Sequence, residues 1–114
     1  MKYVIIDTET TGLNPDEGHE VIEFGAIVMI DGLITEKIEI KVIPESLDRA
    51  SAEAMRVNGY SEYKWRYAIP QFQAVKFIYA FIESNRDGMF VGHNLQFDKK
   101  FIEAMGRKHN IDLR

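Results

Sequence analysis

A mixed α/β sheet covered by helices is the fold class the sequence predicts, and three observations predict it. Apolar runs with strand and helix periods follow one another in the order β-β-β-α-α-β-α. Between the second and third strands stands Asp31-Gly32, a hairpin signal, so the first three strands form an antiparallel meander. A length of 114 residues with 46% hydrophobic residues suits one domain with one packed core.

Each element has its own reason. Residues 3–6 are an unbroken β-prone run and read as a central strand that ends on Asp7. Residues 20–30 (EVIEFGAIVMI) are the second strand. Residues 34–42 are the third, with Ile34, Ile38, Ile40 and Val42 alternating against Glu39 and Lys41. Residues 46–57, rich in small side chains at Ser51, Ala52 and Ala54, read as a short helix that VNGYS (57–61) breaks. A longer helix starts near Pro70, a favoured first-turn residue, and carries Ala74, Val75, Ile78, Phe81 and Ile82 at helical spacing. NRDG (85–88) ends it. MFVGHN (89–94) is a fourth strand. Residues 97–108 are the last helix, with Phe97, Phe101, Ile102 and Met105 on one face.

Composition narrows the chemistry. There are no cysteines, which removes disulfides and thiolate metal sites. The net charge is −4, so a general basic surface for nucleic acid is absent. An acidic, cation-filled site remains open to a nucleic-acid enzyme, because cations bridge protein carboxylates and phosphate. No apolar run reaches the roughly 18 residues of a membrane span and no signal peptide follows Met1. A cytoplasmic location without a membrane partner is expected.

Two constellations carry chemistry. The first is DTETTG (7–12). In a strand, residues two apart point the same way with Cα atoms roughly 6.6 Å apart, so Asp7 and Glu9 share a face and Thr8 points away. Two carboxylates about 4 Å apart repel by roughly 4 kcal/mol at an effective dielectric of 20. Either both face water at a strand end, or one holds a proton, or a cation sits between them. Oxygen-only ligation suits a hard ion, Mg²⁺ or Mn²⁺. The second constellation is GHNLQFD (92–98), where a strand ends and Asp98 sits at the start of a helix. Asp98 there serves either as a helix-start acid or as a ligand. Both constellations fall at strand ends, where open α/β sheets gather ligands.

Together the two motifs resemble those of the DnaQ-like (DEDD) 3′→5′ exonucleases, and the resemblance spans nearly the whole chain. DTETTG matches the family's first motif, VIEFGAIVM its usual second strand, and GHNLQFD its second motif. The resemblance implies an RNase H-like exonuclease fold, with the meander extended by parallel strand(s) flanked by helices. It also implies two Mg²⁺ or Mn²⁺ ions on Asp7, Glu9 and Asp98, with Asp7 bridging them. The same three acids are the implied catalytic residues. Thr10, Thr11, Leu13 and Phe97 would line the terminal nucleotide, with His93 and Asn94 beside them. VNGYS falls where the family has a substrate-side loop that often carries a histidine, and Asn58 stands in that place.

The implied reaction is two-ion phosphodiester hydrolysis releasing nucleoside monophosphates, in DNA proofreading or repair. The implied partners are a single-stranded DNA or RNA 3′ end and a DNA polymerase or other replication protein. The family's third motif, a His or Tyr base followed by one more Asp, has no room after the helix of Asp98. HNIDL (109–113) follows that helix too directly to supply it. The 114 residues are therefore read as the part of an exonuclease domain that carries the first two motifs, without the last strand, the last helix and the general base. Full activity is not expected of them alone. The rival reading is a non-catalytic exonuclease-like module that binds nucleic acid or a polymerase. Tyr60, Tyr63, Trp65 and Tyr67 form an aromatic cluster more often found at a core margin than under bases. Lys99, Lys100, Arg107 and Lys108 read as a solvated helix face, and Glu23 and Asp31 as structural or exposed.

Overall fold

A computed structural model of the chain describes residues 1–113. Strands β1 (Lys2–Thr10), β2 (Val21–Ile30), β3 (Leu33–Lys41) and β4 (Met89–Val91) form one sheet in the order β3-β2-β1-β4. The first three pair antiparallel, and β4 joins β1 parallel. The meander turns at Asp31 (φ 50°) and Gly32 (φ 84°), the two positive φ angles that a type I′ hairpin requires. Asp31 also accepts the N-terminal ammonium at 2.7 Å, an exposed pair.

Helices α2 (Gln71–Ser84) and α3 (Leu95–Lys108) cover one face of the sheet. On that face Val4, Ile6, Phe24, Ala26 and Val28 meet Ile78 and Phe81 of α2 and Phe101 and Ile102 of α3. Phe24 and Phe81 meet edge to face at 6.0 Å. Each of these side chains larger than Ala26 contributes on the order of 1.5–3 kcal/mol by leaving water. Strand alternation sends Asp7 and Glu9 to the other face. There α1 (Ala52–Asn58) contacts β1. Trp65 also packs down there, its indole N–H donating to the Ile22 carbonyl at 2.8 Å.

Three expectations about element bounds need correction. β1 does not end on Asp7: it runs on to Thr10, with Asp7 opposite Gly25 and Glu9 opposite Glu23. The ladder to β2 and the β-branched Thr8 and Thr10 carry the strand past the acids. Residues 46–57 are not one helix. A 3-10 turn at Leu47–Arg49 is followed by extended Ala50 and Ser51, and α1 begins only at Ala52. The Ser51 N–H donates to the Thr11 carbonyl (2.7 Å) and its hydroxyl caps Ala54 N–H, so this residue closes one element and starts another. Finally, β4 stops at Val91 rather than 94, and α3 starts at Leu95 with Asn94 as its cap. Gly92 explains the early stop. A Cβ there would lie 2.9 Å from the Ile6 carbonyl oxygen, so the chain passes β1 closely and turns away.

Candidate active site

The site forms where the ends of β1 and β4 meet the start of α3. Asp7 is exposed and Glu9 half-buried on one face of β1, while Thr8 turns into the opposite face and is 8% exposed. Asp98 arrives from α3, on that opposite face. Its carboxylate is 4% exposed and accepts the Thr8 hydroxyl at 2.6 Å. The acids thus approach β1 from both sides, and the strand's own hydroxyl residue links them.

Their electrostatics follow from this crowding. Burial is the main reason the Glu9 carboxyl holds its proton above the ordinary range, and the charges of Asp7, Glu23 and Asp98 add to it. Asp98 is likewise raised, first by burial and then by Asp7. The Thr8 hydroxyl works against the shift. The acids share a field rather than a grip: among the described residues no three Asp, Glu or His side chains stand in a ligating cluster. The donors suit a hard divalent ion, since all three are carboxylates, the chain has no thiolate, and a cation would relieve the mutual repulsion.

Beside Glu9 runs a groove of about 370 Å³ lined by Leu13, Phe97 and, from α1, Glu53 and Val57. Leu13 is 77% exposed. Phe97 lies against Phe101, ring centres 4.8 Å apart. The Lys100 ammonium lies 5.9 Å from the Phe97 ring centre and donates to the Leu13 carbonyl at 3.4 Å, so both apolar groups stand at one wall.

The remaining sequence-predicted residues are spent differently. Thr10 borders the groove, but its hydroxyl donates to the Gly12 carbonyl at 2.7 Å. Thr11 is fully buried, its hydroxyl oxygen accepting the Glu20 N–H, so its side chain does not reach the groove. Asn58 donates to the Thr10 carbonyl at 2.9 Å and accepts Tyr60 N–H, which ties α1 to the end of β1. Asn94 accepts Phe97 N–H as helix cap. His93 lies in the field of Asp98. Past α3, Ile111 packs against the core. His109 pairs with Gln71 at 3.0 Å and Leu113 is buried.

Sequence reasoning missed Glu53, Val57 and Glu23. Glu53 and Val57 lay inside the expected helix, and only the packing of α1 beside β1 brings them to the groove. Glu23 sits directly across from Glu9 in the β1–β2 ladder, a register that the long connection between these strands leaves to the tertiary structure.

Comparison with known proteins adds the following. The family model described as Exonuclease matches residues 4–113. DNA polymerase III subunit epsilon of Rickettsia prowazekii (strain Madrid E) is 33% identical over 103 residues, covering 90% of this chain and 43% of that protein. The 3′-5′ exonuclease DinG of Bacillus subtilis (strain 168) is 28% identical over 113 residues, 99% of this chain and 12% of DinG. The chain therefore spans less than half the length of these relatives. Among solved structures, E. coli Exonuclease I in complex with a dA16 oligonucleotide superposes with a TM-score of 0.84 at 17% identity, over 97% of this chain and 24% of that one. The architecture is the RNase H-like fold of that enzyme.

Proposed function

The chain belongs to the exonuclease family, in its DnaQ-like (DEDD) group, and on that premise we propose that it is the part of a metal-dependent 3′→5′ exonuclease domain that carries the first two motifs. Its reaction is hydrolysis of the terminal phosphodiester of a nucleic acid 3′ end, releasing a nucleoside monophosphate. The observation that carries this reading is the position of Glu9, which shares a strand face with Asp7, lies in the field of Asp98 and borders the groove of Leu13 and Phe97. Mg²⁺ or Mn²⁺ held by Asp7, Glu9 and Asp98 would supply charge stabilisation and an activated water.

The chain's own residues do the rest. Leu13 and Phe97 press on the last nucleotide's base or sugar, a contact that tolerates any base. Lys100 keeps the two together. Thr8 holds the Asp98 carboxylate in its rotamer. His93 and Asn94 sit at the turn beside them. His19 accepts the Asn14 N–H and His109 pairs with Gln71, and in this reading neither serves as the base. Slow turnover is expected from these residues alone. The relatives' names support a DNA end and a polymerase assembly as partners.

The test uses a single strand labelled at its 5′ end, incubated with Mn²⁺. A ladder shortening from the 3′ end is expected, abolished by chelator and slowed at least about 100-fold in Asp7→Ala. Equal rates for wild type and Asp7→Ala overturn the proposal. Tight binding without cleavage by the complete protein moves the chain to the non-catalytic class.

A further inference from the structure

Across the three meander strands, Glu9, Glu23 and Lys41 stand in one row, each directly opposite the next. Lys41 donates to Glu23 at 2.8 Å and to Glu39 at 2.9 Å. Its ammonium also lies 5.0 Å from the ring centre of Trp65. That ring is 7% exposed, is pinned by its N–H to the Ile22 carbonyl, and packs on Tyr60 at 5.0 Å. Lys41 is therefore held from two sides by acids and from a third by an aromatic ring.

The arrangement matters because of what a loose lysine would do. Lys41 and Glu9 are two strand spacings apart, roughly 9.5 Å between Cα atoms, a gap that two long side chains leaning together close. Glu9 stands directly opposite Glu23 and shares its strand face with Asp7, so it has acids along the strand and across it. An untethered ammonium beside it has a strong reason to move over and occupy the place of a divalent ion.

We infer that Glu23, Glu39 and Trp65 form a clamp that keeps the Lys41 ammonium off Glu9, leaving that carboxylate free for a divalent cation. Glu23 and Lys41 are positioning residues in this reading, acting through Glu9. The inference rests on the ion site proposed above and names residues that neither site motif contains.

The test compares four full-length chains: wild type, Lys41→Met, Glu23→Gln/Glu39→Gln, and the triple variant. Mn²⁺ affinity is read by calorimetry. The unclamped double variant should bind Mn²⁺ roughly tenfold more weakly. Adding Lys41→Met should recover most of that loss, although the same substitution changes wild-type affinity less than about twofold. A bulk charge effect gives Lys41→Met the same factor in both backgrounds, and that result overturns the clamp. A crystal structure of the double variant supplies a metal-free readout: Lys41 Nζ is expected on the Glu9 carboxylate, and its retention over Trp65 counts against the inference. If wild type binds no Mn²⁺, the ion site falls, while the position of Lys41 in that crystal still decides the clamp.

Discussion

Asp98 is where one residue's conflict sets behaviour. It is buried and bonded to the Thr8 hydroxyl, and its carboxyl is raised above the ordinary range because burial outweighs the Thr8 hydrogen bond. Glu9 is raised for the same first reason. An acid raised in the folded state binds more protons folded than unfolded between its two pKa values, so stability falls as pH rises through that window. Urea denaturation should therefore show these groups stabilising the fold below the ordinary carboxylate range. That contribution should fade upward from about pH 4, and saturating Mn²⁺ should flatten the slope. Asp98→Asn should be more stable than wild type at pH 7 and catalytically dead, the trade expected where a site stores repulsion. Thr8→Val should act in the opposite sense on stability. It removes the hydroxyl donor from the buried carboxyl, costing about 1–3 kcal/mol in denaturant titration, and moves Asp98's NMR titration further up.

Among elements, the turn from β4 into α3 controls where Asp98 stands. Gly92 lies so close to β1 that a Cβ would reach 2.9 Å from the Ile6 carbonyl and 3.4 Å from Asp98 Oδ2. Gly92→Ala should push the start of α3 off the strand. A loss of about 1–3 kcal/mol is expected in thermal unfolding, with a larger loss in nuclease rate than the unfolded fraction explains. The loop between β1 and β2 is set the same way. A Cβ on Gly12 would overlap the His19 ring at 2.3 Å, and His19 in turn accepts the Asn14 N–H. That packing delivers Leu13 to the groove. These close approaches are visible in sequence only as glycines. The strands and the two long helices were legible because period 2 and period 3.6 are properties of one segment. The start of α1 was not, since Ser51's extended backbone is fixed by a bond to Thr11, forty residues earlier.

At the scale of the whole molecule, charge and binding are linked. A chain of net charge −4 that gathers three acids at one sheet end is poorly suited to phosphate until cations arrive. Ions that bind only the folded state stabilise it by mass action, about 2.7 kcal/mol at a hundredfold excess over Kd. Mn²⁺ should raise the melting temperature, EDTA should reverse the rise, and Asp7→Ala/Asp98→Ala should show neither. Scanning fluorimetry measures all three. No helix among the described residues is long and apolar enough to cross a membrane.

What the sequence determined by itself was local and periodic. It contained the meander with its Asp-Gly turn, the core faces of α2 and α3, the shared face of Asp7 and Glu9, and the two motifs that carry the family. Only the tertiary structure decided which polar groups were free to act. It consumed Thr11 and Asn58 in bonds between β1, the following loop and α1, set Glu23 beside Glu9, and brought Asp98 to Thr8 across ninety residues. A side chain's type and period are fixed along the chain. Its partners are fixed only when distant segments pack, because each buried polar group must then find a bond in whatever neighbour the fold supplies.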